Sequence, residues 1–362
     1  MSRFKVISAD SHVVEPGNLW TDYIDPTFQE RAPRLERQGE TDHFVCEGAN
    51  IAPPFAFSVA GRDLNPPRTF DEGVYPAAYD PDARLEHMAV DGIDAEVVYP
   101  SVGLRMFALA DIELKLACLE AYNRWAADFC RVHPDVIKGL AMLAIDDVER
   151  AVSEMQTAKK MGLSGAMVTL ASDDPHLYAS ESLDPIWRTA EELEMPLSLH
   201  LLTNQGPLDL RSEIESALYH AYIQRSLTNM VFTGVFFRFP GLKVVSAEND
   251  AGWAPYFMER MDYLFADPRR QTYQDYPIKG KGMLPSEYVK RGVFFTFMRD
   301  ASAVYVRDLV GTTNLMWASD YPHNDSTWPH SQAMIESLFG GVPEGPRRQM
   351  VADNAARLYG FE

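Results

Sequence analysis

GLAMLAIDDVERAVSEMQTAKKMGLSGAMVTL, residues 139–170, contains a whole strand–helix–strand unit. Residues 139–145 form a short, nearly continuous apolar run, the pattern of a parallel strand covered on both faces. Asp146 stands where a carboxylate can cap a first helical turn, the helix reads on to Met161, and Gly162 closes it. A second apolar run follows at 165–170. Strand, capped helix and strand in that order predict a parallel βαβ unit.

The same alternation continues in both directions. Further apolar runs occur at 5–9, 95–99, 197–201, 242–247, 293–297 and 315–318, which makes eight. Residues 81–92 read as a helix opened by Pro81 and ended by Gly92. Residues 111–133 carry Leu114, Ala117, Cys118, Ala121 and Trp125 at helical spacing, and 182–194 precede the fifth run. Eight strands alternating with helices predict an α/β protein, a closed (β/α)8 TIM barrel occupying residues 1–362 as one domain. Three connections exceed ordinary loop length: 15–79 after strand 1, 203–239 after strand 5, mainly helical, and 251–291 after strand 6. All three leave the carboxyl ends of strands, the catalytic face of a barrel, where long insertions form lids or oligomer contacts. No repeat, low-complexity tract or linker points to a second domain.

Composition narrows the partners. With 46% hydrophobic and 23% charged residues the chain can bury a large core. The 33 Lys+Arg against 52 Asp+Glu give a net charge of -19, which repels nucleic acid and anionic membrane surfaces. A small-molecule substrate remains, even a carboxylate, because a metal ion and an arginine reverse the field locally. Cys46, Cys118 and Cys130 are odd in number, fit no metal-binding spacing, and read as reduced structural thiols. No signal-peptide run opens the chain, and no window nears the ~18 apolar residues of a membrane span. The expectation is a soluble cytoplasmic enzyme.

Polar residues mark the strand ends. In ISADSHVVEP, residues 7–16, the two-residue spacing of Asp10 and His12 puts both on one face of a strand. His200 ends the fifth run (LSLHLL), Glu248 the sixth (VVSAEND) and Asp320 the eighth (WASDYPHND). Taken singly, a strand histidine is more often core, and a strand-end Asp caps the next helix. Together, on strands that converge at one mouth, they form a nitrogen and oxygen donor set suited to Zn, Mn or Fe. His323 raises the possible donors to six, enough for one ion in an oxygen-rich sphere or for two. Arg105 and Arg299, after the second and seventh strands, can each clamp a substrate carboxylate or sit in a surface ion pair. His176 and His220 lie in excursions on the catalytic side. Trp253 and Trp328 offer apolar walls to a substrate or fill the core, and Glu15 orients a ligating histidine or closes the turn before Pro16.

ISADSHVVEP, DGIDAEVVYPS (91–101), GWAPYFMERMD (252–262), ASDYPHNDSTWP (318–329) and DNAARLYGF (353–361) occur in order along nearly the whole chain. Together they resemble the amidohydrolase-2 family, which includes aminocarboxymuconate semialdehyde decarboxylase and the γ-resorcylate decarboxylases. The resemblance implies a distorted barrel with one divalent metal held by Asp10, His12, His200 and Asp320. It also exposes a departure. Many relatives end the sixth strand in a histidine acid/base, where this chain has Glu248, followed by Gly252 and Trp253. Glu248 is then a general base raised by burial, or an extra ligand. Hydrolysis of an amide, imide or lactone by metal-activated water, with Asp320 accepting the proton, heads the expected functions. Non-oxidative decarboxylation, with Glu248 or His323 protonating carbon, is the alternative. An Fe- or Mn-dependent oxygenase and a non-catalytic partner subunit complete the set. A homo-oligomer is expected, and a hetero-oligomer stays open.

Overall fold

The computed structural model describes residues 3–52, 58–62, 69–204, 217–267, 269 and 276–362. Eight strands stand side by side in chain order: Ile7–His12, Ala95–Tyr99, Ile137–Met142, Gly165–Val168, Leu197–His200, Val244–Ala247, Val293–Phe297 and Leu315–Trp317. Neighbours within this series pair in parallel. The chain leaving the eighth strand returns beside the first, where Asp320 N donates to Asp10 O at 3.0 Å and His12 N to Tyr321 O at 2.6 Å. The sheet therefore closes into the expected TIM barrel. Every strand residue but Lys138 is buried, which is why the runs read as apolar throughout rather than alternating.

The helices follow their punctuation closely. Asp80 caps Pro81–Asp91, which ends at Gly92 in the left-handed region with φ 69°, and Asp111 caps Ile112–Arg131. The helix predicted from Asp146 is instead capped by Asp147, whose Oδ1 accepts Arg150 N at 3.0 Å. Asp146 turns aside to take Lys115 Nζ at 3.2 Å. A cap must sit one residue before the first helical position, and two adjacent aspartates leave that choice to tertiary contacts.

Two other differences concern the first strand and the segment after it. The first strand begins at Ile7 rather than Lys5 and runs to His12, so that Asp10 and His12 lie on it as their spacing implies. Ser11 Oγ lies 2.8 Å from Ser8 Oγ and 3.1 Å from Ser319 Oγ, beside the eighth strand. Within 15–79 the chain builds a three-stranded antiparallel sheet, Arg34–Gln38, Thr41–Cys46 and Ala49–Ala52. Its first strand is mostly exposed, so it carries little apolar signal. The excursion after the fifth strand includes helices His220–Phe232 and Val235–Arg238, and that after the sixth includes Ala254–Ala266 and Pro285–Gly292. Residues 53–57, 63–68, 205–216, 268 and 270–275 of these excursions lie outside the described residues.

All three cysteines are buried and free, and burial pushes the Cys46 thiol up to about 11 and that of Cys130 up to about 12. Both are protonated, unreactive groups at neutral pH. Among the described residues no helix is long and apolar enough to cross a membrane.

Candidate metal centre

The strand ends meet as the barrel geometry requires. His12 Nε2 lies 3.4 Å from both Asp10 Oδ1 and Asp320 Oδ1. His200 Nε2 lies 3.6 Å from Asp10 Oδ1 and 3.4 Å from Glu248 Oε2. His323 Nδ1 approaches Asp320 Oδ1 to 2.9 Å. Both histidines of the strands are completely buried. Glu248 and Asp320, each just past a strand, adopt left-handed backbone with φ 56° and 55°. For residues with a Cβ that conformation costs about 1–3 kcal/mol and persists where surrounding bonds enforce it. Here Glu248 N donates to Thr296 Oγ1 at 2.9 Å, and Asp320 N is held by Asp10 O.

The bonding of these side chains shows what is missing from it. His12 Nδ1 is 2.7 Å from Pro100 O, and His200 Nδ1 is 2.7 Å from Leu201 O. A carbonyl only accepts, so each Nδ1 carries a hydrogen and each Nε2 is the nitrogen that, once free of a proton, turns a lone pair toward the facing carboxylates. Neither Nε2 has a hydrogen-bond partner, and neither do Asp10 Oδ1, Glu248 Oε2 and Asp320 Oδ1. Buried polar atoms are ordinarily bonded, and each one left alone costs about 1–3 kcal/mol. Asp10, His12 and His200 bring ligand atoms within 4.8 Å of one another, as do His12, Asp320 and His323, and Glu248 Oε2 adjoins His200, a set of imidazole nitrogens and carboxylate oxygens that fits a divalent cation.

Electrostatics agree. Burial raises the Asp10 carboxyl, but the facing His200 and His12 overcome it and hold it below the usual range. Burial, reinforced by neighbouring imidazoles, lowers His12 to about 4 and His323 to about 3. Burial acts the same way on His200, yet Asp10 and Glu248 outweigh it and lift the ring to about 9. Burial raises Asp320 to about 7, and burial and Asp320 together hold Glu248 well above the ordinary carboxylate range. A cation must therefore displace a proton from His200 at neutral pH, and one from Glu248 where that carboxyl is to ligate. Manganese affinity is expected to rise from pH 7 to 9 by at least about tenfold per pH unit. Below pH 7 the rise is steeper, because Asp320 is then protonated as well. Calorimetric titration in buffers of different ionisation heat measures the proton release, and a pH-independent affinity would contradict it.

Several supporting residues carry no sequence signal. Thr296 Oγ1 donates to Asp10 Oδ2 at 3.1 Å, and Ser101 Oγ lies 2.9 Å from His323 Nε2. The Tyr99 ring packs 4.9 Å from His200 and 5.8 Å from His12. Arg84, fully buried, pairs with Glu96 at 2.6 Å and donates to His12 O at 2.7 Å. Glu15 touches no histidine. Its carboxylate accepts Val102 N at 2.9 Å and Gly103 N at 2.8 Å, pinning the segment whose Pro100 O and Ser101 Oγ orient His12 and His323. Glu15→Gln puts an NH2 group against a backbone N–H, so it is expected to cost about 2 kcal/mol of stability. It should also weaken manganese binding at least about tenfold, the usual effect of losing a supporting residue. Urea unfolding and a manganese titration read the two effects separately.

The remaining residues singled out in the sequence divide. Arg105 is half-buried, its Nε has no partner, and burial alone lowers the guanidinium from its ordinary value. Arg299 lines a cavity of about 340 Å³ with Asp10, Glu248 and Asp320, but its Nη2 is tied to Asp325 O at 3.2 Å and Ser326 O at 2.9 Å. His176 is exposed beside the short helix Leu177–Ala179, and its backbone N–H donates to Asp174. Trp253 stacks on His220 and donates from Nε1 to Asn249 O at 2.8 Å, which makes it packing behind the sixth-strand loop. Trp328 stacks on His87, a residue that reads as merely helical, and whose Nδ1 reaches Tyr321 Oη at 2.7 Å.

A family model described as amidohydrolase matches residues 43–361. The chain is 24% identical over 301 residues to gamma-resorcylate decarboxylase of Polaromonas sp. (strain JS666 / ATCC BAA-500), covering 77% of this chain and 86% of that one. It is also 24% identical over 295 residues to 2-amino-3-carboxymuconate-6-semialdehyde decarboxylase of Dictyostelium discoideum, covering 78% and 77%. An amidohydrolase structure from Mycobacterium avium subsp. paratuberculosis K-10 superposes with a TM-score of 0.82 at 22% identity, over 100% of this chain and 99% of that one. The 5-carboxyvanillate decarboxylase of Novosphingobium aromaticivorans, solved with manganese and 4-hydroxy-3-methoxy-5-nitrobenzoic acid, gives 0.69 at 18% identity, over 99% and 96%.

Proposed function

Because the chain belongs to the amidohydrolase family and is one of its enzymes, we propose that it is a metal-dependent, non-oxidative decarboxylase of a small carboxylic acid. The observation that carries the metal-dependent part is the set of five unbonded donor atoms on Asp10, His12, His200, Glu248 and Asp320. Similarity to two decarboxylases, each aligned over three-quarters of this chain, supports decarboxylation ahead of the hydrolysis that headed the sequence expectations. Asp10, His12, His200 and Asp320 would hold the ion, with Glu248 as a fifth ligand. Zn, Mn and Fe all suit the donors, and manganese is the ion bound in the 5-carboxyvanillate decarboxylase structure. Such an ion supplies positive charge to hold a carboxylate and its neighbouring oxygen.

The chain's own groups perform the proton chemistry. The single proton that Asp320 and the neutral His323 ring share across 2.9 Å goes to the carbon that bears the carboxyl group. The carbon–carboxyl bond then breaks, its electron pair restores the conjugated system, carbon dioxide leaves, and the pair is reprotonated from solvent. Ser101 Oγ keeps the His323 ring in place through Nε2. Arg105 binds the anionic end of the substrate, its half-buried guanidinium having an Nε without a hydrogen-bond partner among the described residues. Arg299 lines the cavity wall, and residues 1–362 act as a single domain.

The test is manganese-loaded enzyme with 2,6-dihydroxybenzoate and related unsaturated acids in 18O-labelled water. Carbon dioxide released one-for-one with acid consumed, and a product free of 18O, is the expected result. Label in the product with no carbon dioxide would return the site to hydrolysis.

A further inference from the structure

At the amino ends of the barrel strands, away from the metal centre, a concavity of about 550 Å³ opens between strand starts and the C-terminal residues. Its charge runs against that of the chain. Lys138, Lys159, Lys243 and Arg357 line it with a single acid, Glu194, whereas the whole sequence has 33 Lys+Arg to 52 Asp+Glu. Among the described residues, the groups that Lys243, Arg357 and Lys138 contact are neutral. Lys243 Nζ donates to Arg291 O at 3.0 Å, Arg357 Nη2 contacts Thr313 O at 3.3 Å and Asn354 Oδ1 at 3.2 Å, and Lys138 lies over the Phe361 ring. Lys159 sits in the last turn of its helix, where the helix dipole favours a cation. Arg357 likewise sits in the last turn of its helix, Asn354–Tyr359, but the dipole offers no such reason for Lys138 and Lys243. Lys138 is the one barrel-strand residue not fully buried.

Lys243 is the most informative of the four. It is half-buried, and burial with the nearby Arg291 and Arg357 guanidiniums lowers its ammonium from the ordinary value, against a weaker pull from Glu191. Glu191 is itself engaged, accepting Gly241 N through Oε1. Cations gathered in a partly desolvated hollow repel one another unless an anion joins them. Leu163, Phe294 and Leu358 add apolar wall beside the charges.

We propose that this hollow binds a small organic anion, a carboxylate or phosphate group carried on an apolar body. The hollow's volume falls within the ~300–1,000 Å³ of small-molecule pockets. It is distinct from the metal centre. The sixth strand, Val244–Ala247, begins beside Lys243 and ends beside Glu248, so roughly 16 Å of extended chain separates the two sites. The proposal does not depend on which reaction the metal centre performs.

Calorimetric titration of the full-length, metal-loaded chain with phenyl phosphate and with inorganic phosphate, at constant ionic strength, tests it. Saturable one-to-one binding of phenyl phosphate is expected, with inorganic phosphate about tenfold weaker because it lacks the apolar body. The Lys243→Met/Arg357→Gln double variant should bind phenyl phosphate at least about tenfold more weakly while its turnover stays unchanged. Arg357→Gln alone, at an exposed position, gives the same direction of change should Lys243 matter for folding. No saturable binding to the wild type, or undiminished binding to the variants, overturns the site. Equal affinity for the two probes overturns its apolar half.

Discussion

Replacing His200 by alanine is expected to remove bound divalent metal and turnover in one step. The ring contributes one of five donor atoms, and its Nδ1 bond to Leu201 O already holds it in the tautomer a cation needs. Loss of a residue that only supports a ligand costs metal affinity about 10–100-fold, so loss of a direct donor should exceed that. Turnover should fall at least about 10³-fold, the scale seen when a preorganised electrostatic element is removed. Elemental analysis of protein purified without chelator, alongside the carbon dioxide assay, reads both. Circular dichroism should show the fold retained, since the substitution lies at a strand's end. Wild-type metal content in the variant would dismantle the assignment.

Glu248→Gln probes the residue that most separates this chain from the family pattern it resembles. The amide keeps size and shape, so the fold should survive. If Oε2 is a ligand, as its lack of a partner 3.4 Å from His200 Nε2 argues, the variant loses a negative charge at the cation. Manganese affinity should drop about 10–100-fold, and excess manganese should restore much of the turnover. Paramagnetic resonance of a manganese titration follows free and bound ion directly. Full metal retention with turnover lost at saturating metal would instead make Glu248 the proton donor and displace His323 from that role.

Most of the candidate site was legible as a list. Asp10, His12, His200, Glu248 and Asp320 could be named because strand ends in a barrel share one mouth, so position along a strand implies position in space. What could not be read was the shell around them. Thr296, Ser101 and Tyr99 occupy unremarkable positions, and hydroxyls on buried strands are common. Glu15 was expected to support a histidine and does so only through the backbone of residues 100–103. His176, singled out from its place in an excursion, is exposed, and Trp253, read as a substrate wall or as core, packs on His220. Loops do not transmit position as strands do.

The sequence by itself determined the barrel: eight apolar runs, their capped helices, and the polar residue closing each of four strands. Those signals are local, since strand burial, helix caps and two-residue periodicity are written in neighbouring residues. Only the tertiary structure decided that five side chains leave one atom each without a hydrogen-bond partner, that Glu248 is among them, and that Arg105 is half-buried with its Nε unpartnered among the described residues. Only it gathered Lys138, Lys159, Lys243 and Arg357, more than 200 positions apart at the extremes, into one basic hollow. Whether a polar atom is satisfied depends on what the fold packs against it, and those neighbours come from distant parts of the chain.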